Sequence, residues 1–188
     1  MEECDELLVE ILGTAYEVAI KMTSIQYYDS PLGRMLMAAD ELGLSGLWFE
    51  GSKYYADRLP AGYLEQKTEI LSVGKRWLDL YFDGQKPDFL PPLHPEGTAF
   101  QKSVWDILLE IPYGKTISYG EIAGHIALKQ GISRMSAQAV GGAVGRNPIS
   151  IIIPCHRVVG ADGSLTGYAG GLDRKIKLLK LEHSAIGL

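Results

Sequence analysis

The chain has 188 residues, 46% of them hydrophobic and 22% charged, with a formal net charge of −5, which fits one large or two small domains with a real core and excludes compositional disorder. No apolar run approaches the ~20 residues that span a bilayer, and the acidic start Met1-Glu2-Glu3-Cys4-Asp5-Glu6 is neither a secretory signal nor an Arg-rich transit peptide. Two cysteines, 151 positions apart, argue against a disulfide scaffold and for a reducing cytosol.

Residues 1–21 carry six acids and one lysine. Leu7, Leu8, Ile11, Leu12, Ala15, Val18 and Ala19 recur at helical spacing, which predicts an amphipathic helical extension ahead of Met22. Ser24 to Tyr28, Arg34 to Asp40 and Leu42 to Phe49 read as strands of an antiparallel meander, with the first turn at Asp29-Ser30-Pro31-Leu32-Gly33. Ile70, Val73, Trp77, Leu78 and Tyr81 make a helical stripe that ends near Asp83-Gly84. Pro87, Pro91, Pro92 and Pro95 then mark a connector between domains. The expected units are an extension (1–21), a small α/β domain (22–95) and a second domain (96–188).

The second half opens on Thr98-Ala99-Phe100-Gln101, a T-x-x-Q capping box, with Phe100, Val104, Ile107, Leu108 and Ile111 along one helical face. Pro112-Tyr113-Gly114 stops that helix. Ser118-Tyr119-Gly120-Glu121 caps a second, and Gln130-Gly131-Ile132-Ser133 turns the chain into a third from about Arg134 to Gly145. Two short helices joined by a Gly-containing turn fit a helix-turn-helix, and they also fit many other helical domains. The third helix is almost all small residues, Ser136 to Gly145. Each interior glycine costs about 1 kcal/mol against alanine, so close approach of another backbone is expected, either from the protein itself or from a DNA strand.

Charge divides unevenly. Residues 1–99 hold 8 Lys+Arg against 17 Asp+Glu, a net of −9, and residues 100–188 hold 10 against 6, a net of +4. The basic excess permits nucleic-acid binding by the second half without requiring it. That half also contains Ile151-Ile152-Ile153-Pro154-Cys155-His156-Arg157-Val158-Val159. A thiol beside an imidazole is a candidate nucleophile, because a nearby base or positive charge favours the reactive thiolate. Cys4, Cys155, His94, His125, His156 and His183 show no zinc-ligand spacing.

The stretch Ala139-Val140-Gly141-Gly142-Ala143-Val144-Gly145-Arg146-Asn147-Pro148, followed by Ile153-Pro154-Cys155-His156-Arg157-Val158, resembles the O6-alkylguanine-DNA alkyltransferases. The similarity spans about residues 98–182, and more loosely the half from Met22. It implies an α+β (α/β) fold, with a small antiparallel sheet and helix followed by a helical, winged-helix-like domain carrying a helix-turn-helix. It further implies irreversible transfer of an alkyl group from O6-methylguanine, and from O4-methylthymine, in flipped bases of double-stranded DNA to one cysteine. No cofactor is implied, and a cytoplasmic monomer away from membranes is expected.

By this resemblance Cys155 is the alkyl acceptor, His156 the base acting through a water, and Glu182 the carboxylate that orients it. Tyr119 donates toward the guanine ring, Asn147 ties the recognition helix to the active-site turn, and the Val158 carbonyl reads the guanine amino group. Tyr168, Ala169 and Gly170 belong to a loop that closes over the base. Ser136, Ala137, Gln138, Val144 and Arg146 lie on the DNA-facing helix. Two departures stand out. Gln138 occupies the place of an intercalating arginine, and the N-terminal zinc ligands of some members are missing. Other readings of the same residues are an alkyltransferase-like lesion binder, which lacks the acceptor cysteine, a methylation-triggered sensor, which needs a further domain, and a Cys-His-Glu hydrolase, which turns over.

Overall fold

The computed structural model describes residues 22–183; the helix expected within residues 1–21 lies outside them. Strand β1 (Thr23–Ser30) turns through Pro31-Leu32 into β2 (Gly33–Ala39), which pairs in turn with β3 (Leu44–Phe49), both antiparallel. The first turn needs Gly33, whose φ is 114°, while the Ser30 hydroxyl accepts from Leu32 N–H at 3.1 Å. Side chains alternate across β2. Met35, Met37 and Ala39 enter the main core, whereas Leu36 and Ala38 join Ile25 and Trp48 in a second cluster on the other face.

One strand has no counterpart in the sequence reading. Strand β4 (Tyr63–Glu65) runs parallel to the start of β1, giving the order β3-β2-β1-β4. The sheet is therefore mixed rather than purely antiparallel. Its three residues are all exposed, so no apolar alternation announces them.

Helix α1 (Glu69–Phe82) starts where Thr68 Oγ1 accepts from Leu71 N–H, and it buries Leu71, Trp77, Leu78 and Tyr81. The proline-rich connector is pinned to β3: Leu44 N–H donates to Pro92 O (2.8 Å) and His94 N–H to Leu44 O (2.7 Å). Helices α2 (Ala99–Leu109) and α3 (Tyr119–Gln130) both begin with the complete capping boxes expected, and Gly131 ends α3 in the left-handed conformation. Helix α4 (Ala137–Gly145) begins three residues later than its expected start at Arg134. Ser136 explains this, because its hydroxyl caps Ala139 N–H and leaves Arg134 and Met135 in the turn.

In the second, winged-helix-like half the sheet is a two-residue parallel pair: β5 (Ile117–Ser118) pairs with β6 (Val158–Val159). Helix α5 (Leu172–Leu181) completes the order. Both halves share one buried cluster, running from Met35, Phe49 and Trp77 to Val104, Ile122, Val140 and Leu178. Full burial of such side chains contributes about 1.5–3 kcal/mol each. The edge of β3 is also bonded across the halves, Leu47 N–H to Pro148 O (2.8 Å) and Ser150 N–H to Leu47 O (2.9 Å). That anchorage fixes the segment leading to Cys155.

Candidate active site

Cys155 sits in a single 3-10 turn, Cys155–Arg157, between the anchored segment 148–150 and β6. The approach is tight. Ile151 has φ 70°, which a β-branched residue rarely adopts. Two backbone bonds spanning only two residues, Ile152 N–H to Ser150 O and Cys155 N–H to Ile153 O (both 2.8 Å), bracket the bend.

Asn147 holds this bend from the C-terminal end of α4. Its Nδ2 lies 2.7 Å from Ile153 O, 3.2 Å from Ile149 O and 3.1 Å from Cys155 Sγ, and its Oδ1 accepts from Ile149 N–H at 3.0 Å. Three acceptors share two hydrogens. The side chain is thus a structural clamp that also donates toward the sulfur.

Behind the turn lies a charged network. Glu182, 2% exposed, is the first residue past α5. Its Oε1 accepts from Tyr81 Oη (2.7 Å) and Arg157 Nη2 (3.0 Å) and lies 2.7 Å from His156 Nε2. Its Oε2 accepts from Arg157 Nε (2.8 Å) and Gly114 N–H (3.3 Å). Arg157 Nη1 donates to Ile111 O at 2.6 Å. A carboxylate accepts only, so the ring hydrogen belongs on His156 Nε2 and the lone pair on Nδ1. Nδ1 is buried with no partner among the described residues.

These contacts set the protonation states. Burial pushes the Glu182 carboxyl up, but His156 and Arg157 outweigh it and hold its pKa down to about 2. Burial pulls His156 below its usual value, against the opposing pull of Glu182, so the imidazole is neutral and can accept a proton. Burial raises the Cys155 thiol, with Asn147 and Lys175 pulling the other way. The resting sulfur is a thiol that needs a base.

Lys175 is 0% exposed. Its ammonium donates to Val158 O (2.6 Å), Thr166 O (2.8 Å) and Gly167 O (3.4 Å). Burial pulls its pKa down to about 8, while the Cys155 charge acts to raise it. Three carbonyls for three N–H groups favour the ammonium, so the lysine is a cation at neutral pH.

A pocket of about 310 Å³ opens onto Cys155. Tyr119, Gly141, Gly142, Val144 and Gly145 form one wall, and Gly167, Tyr168 and Ala169 another. A Cβ at Gly142 or Gly145 would meet nothing within 4 Å, and one at Gly141 would only touch the Tyr119 ring at 3.7 Å. The three glycines of α4 are therefore not explained by tight packing within the described residues. Tyr119 Oη donates to Thr166 O at 3.3 Å. The Tyr168 hydroxyl is buried beside Ser150, with no well-formed hydrogen bond among the described residues.

The structure brings together Cys155, His156, Glu182 and Asn147, and it places Tyr119, Val144, Tyr168 and Ala169 on the pocket. Others lie elsewhere. Ser136, Ala137 and Gln138 are exposed at the start of α4, and Arg146 is exposed beyond its end. The Val158 carbonyl is already bonded to Lys175, and Gly170 is buried with its carbonyl accepting from Arg174 Nη1 at 2.9 Å. Sequence reasoning missed Lys175, Tyr81 and the partners of Arg157. For Lys175 a signal existed: Lys175, Leu178, Leu179 and Glu182 share one helical face at i, i+3, i+4 and i+7.

Comparison with known proteins gives the family. Residues 99–184 match the family described as 6-O-methylguanine DNA methyltransferase, DNA binding domain, and residues 25–95 match its ribonuclease-like domain. A methylated-DNA–protein-cysteine methyltransferase of Methanosarcina acetivorans is 49% identical over 157 residues, covering 84% of this chain and 96% of that protein. One of Haemophilus influenzae is 43% identical, covering 83% and 84%. The crystal structure of Mycobacterium tuberculosis OGT in complex with DNA aligns with a TM-score of 0.73 at 40% identity, covering 86% of this chain and 92% of that one. On two family matches that together take in most of its length, and on relatives this close, the chain belongs to the 6-O-methylguanine DNA methyltransferase family.

Proposed function

We propose that the protein repairs alkylated double-stranded DNA by moving the alkyl group of O6-methylguanine, and of O4-methylthymine, onto Cys155 in a single irreversible turnover. The observation that carries this reading is the pairing of a buried thiol, held by Asn147 at the floor of an open pocket, with a neutral imidazole fixed by Glu182 at 2.7 Å. On this reading the protein is a cytoplasmic monomer that needs no cofactor, with a sheet domain (22–95) and a DNA-binding acceptor domain (96–188).

In the proposed step the damaged base leaves the duplex and enters the pocket, as chemistry on a base requires. His156 Nδ1 takes the Cys155 proton through a water, and Glu182 stabilises the imidazolium. The thiolate attacks the alkyl carbon, the S–C bond forms, and the C–O6 bond breaks with its electron pair passing to the purine. Tyr119 donates a proton to the departing base, and the proton that His156 took from the thiol returns to the tyrosinate through water when the base leaves, so that no net charge is left behind. Asn147 and the Lys175 ammonium favour the thiolate as it forms. Val144, Tyr168 and Ala169 line the base, and the Val158 carbonyl keeps its second lone pair for the guanine amino group while Lys175 holds the first. Gly170 anchors the loop through Arg174, and Ser136, Ala137, Gln138 and Arg146 face the duplex.

The test is incubation with a duplex containing O6-methylguanine, followed by mass spectrometry of the Cys155 peptide. One added methylene per protein, absent from Cys155→Ser, is expected. No gain refutes the proposal, and many products per protein favour a hydrolase.

A further inference from the structure

The pocket over Cys155 has a third wall, which comes from the other half of the chain. Lys53 and Tyr54, in the loop after β3, line it alongside the acceptor-half residues. Nothing in the sequence around them signals a site. We infer that Lys53 and Tyr54 form the outer wall of the pocket and set the size of alkyl group that Cys155 accepts, a role that rests on the alkyl-transfer reading above.

Three features support a built wall rather than a passing loop. The backbone is held in an unusual shape: Tyr54 has φ 66° and Ala56 φ 51°, both in the left-handed region without glycine. Such positions cost of order 1–3 kcal/mol each and persist only where surrounding contacts fix them. Those contacts are present. Lys53 N–H donates to Ala169 O at 3.0 Å, joining this loop to the loop that forms the opposite wall. Tyr55, Ala56 and Leu59 pack on the second core cluster beneath.

The Tyr54 ring is itself fixed. Arg146, just beyond α4, places its guanidinium carbon 5.0 Å from the ring centroid, and the Lys53 ammonium lies 4.9 Å from it. Cations at these distances hold an aromatic face in place. Arg174 clamps the same junction from below. Its Nε donates to Leu32 O, its Nη1 to Gly170 O (both 2.9 Å), and its guanidinium lies 4.6 Å from the Phe49 ring centroid. The pocket is thus closed by both halves. Its volume of about 310 Å³ is at the small end of ligand sites, which run from about 300 to 1,000 Å³. A flat ring held rigidly at such a rim limits what fits beside a purine.

The experiment compares transfer from duplexes carrying O6-methylguanine and O6-butylguanine, and from the free base O6-benzylguanine, with Cys155 modification followed by mass. Tyr54→Ala should raise the butyl-to-methyl rate ratio by about tenfold or more, the scale on which pockets sense added methylenes, and should speed reaction with the free base. Tyr54→Trp keeps an aromatic face beside both cations, adds bulk at the rim and should lower the same ratio. A ratio that moves in neither variant overturns the inference. So does an equal fall for both duplexes with the free base unaffected, which would make Tyr54 a DNA contact. Because Tyr54→Trp does not open a void, it decides the matter even if Tyr54→Ala unfolds. If wild-type Cys155 takes no methyl at all, the alkyl-transfer reading fails first, and that outcome is distinct from an unchanged ratio in an active protein.

Discussion

Replacing Glu182 tests whether one buried carboxylate both holds the fold and drives the chemistry. It receives hydrogen bonds from Tyr81, His156, Arg157 and Gly114. Glu182→Gln preserves shape but puts an amide NH2 where only donors point. With the amide oxygen at the Oε1 position, the NH2 faces Arg157 Nε and Gly114 N–H. Losing charge-assisted bonds at about 1.5–3 kcal/mol each, with a guanidinium left without its partner, gives a cost of about 3–5 kcal/mol. Acid should remove the same contribution. With the folded carboxyl at about 2 against an ordinary 4.5, the stabilisation is complete above the ordinary value and is lost as pH falls through the folded one. Urea denaturation measures the stability, and single-turnover transfer to Cys155 measures the rate, expected to fall by about 10²–10⁴ as the imidazolium loses its counter-charge. A Glu182→Gln protein within about 1 kcal/mol of wild type and equally fast would refute the reasoning, since a lost buried pair costs more than that. A companion pair, Glu182→Leu with Arg157→Met, should recover much of the stability but none of the rate. Recovery of both would make Glu182 purely structural.

Asn147→Ala should cost about 2–3 kcal/mol, because buried Ile149 and Ile153 carbonyls lose their donor, and it should slow transfer; an unchanged urea midpoint would contradict the clamp. Transfer should stay flat as pH falls from 8 to 6.5, roughly the ordinary histidine value, and decline only below it, because burial keeps His156 neutral to lower pH. A rate rising tenfold between about pH 7 and 8, tracking thiol ionisation instead, would show that the base is not used. Gln138→Arg should tighten duplex binding by about 1 kcal/mol, the worth of one charged contact, and quicken repair; a slower variant would refute the role given to Gln138. Gly142→Ala should stabilise the free protein by up to about 1 kcal/mol, since the helix gains propensity and a Cβ there meets nothing within 4 Å. The same change should slow reaction with duplex, and unimpaired transfer would leave the bare face of α4 without a DNA role.

Local chemistry made much of the fold legible. Capping at Thr98 and Ser118, and the strand read from Arg34 to Asp40, depend on neighbours within a turn or strand. Strand β4 and the β5–β6 pair escaped because their partners are distant in sequence and their own residues carry no pattern. The site divides the same way. Cys155 and His156 are adjacent, and the resemblance supplied Glu182 and Asn147. Tyr81 looked like one more core aromatic on its helical stripe, and it is also a ligand of Glu182. Lys53 and Tyr54 reach the pocket only because β3 is bonded to the segment 148–150, a pairing that no local rule foretells.

A buried cysteine is ordinarily inert, and reactive ones are ordinarily exposed beside positive charge. Cys155 combines the two conditions. It is 5% exposed, yet it faces an open pocket and has Asn147 and the Lys175 ammonium near its sulfur. Burial keeps the proton on the sulfur, which on the proposed function suits a group that reacts once and must not be spent on passing electrophiles. The same low-dielectric surroundings strengthen the pull of Asn147, Lys175 and the His156–Glu182 pair when the proton leaves. A base filling the pocket would exclude more water and deepen that pull. On the proposed function, selectivity therefore comes from coupling thiol activation to occupancy. That is why the fit of the wall at Lys53 and Tyr54 matters to the chemistry and not only to binding.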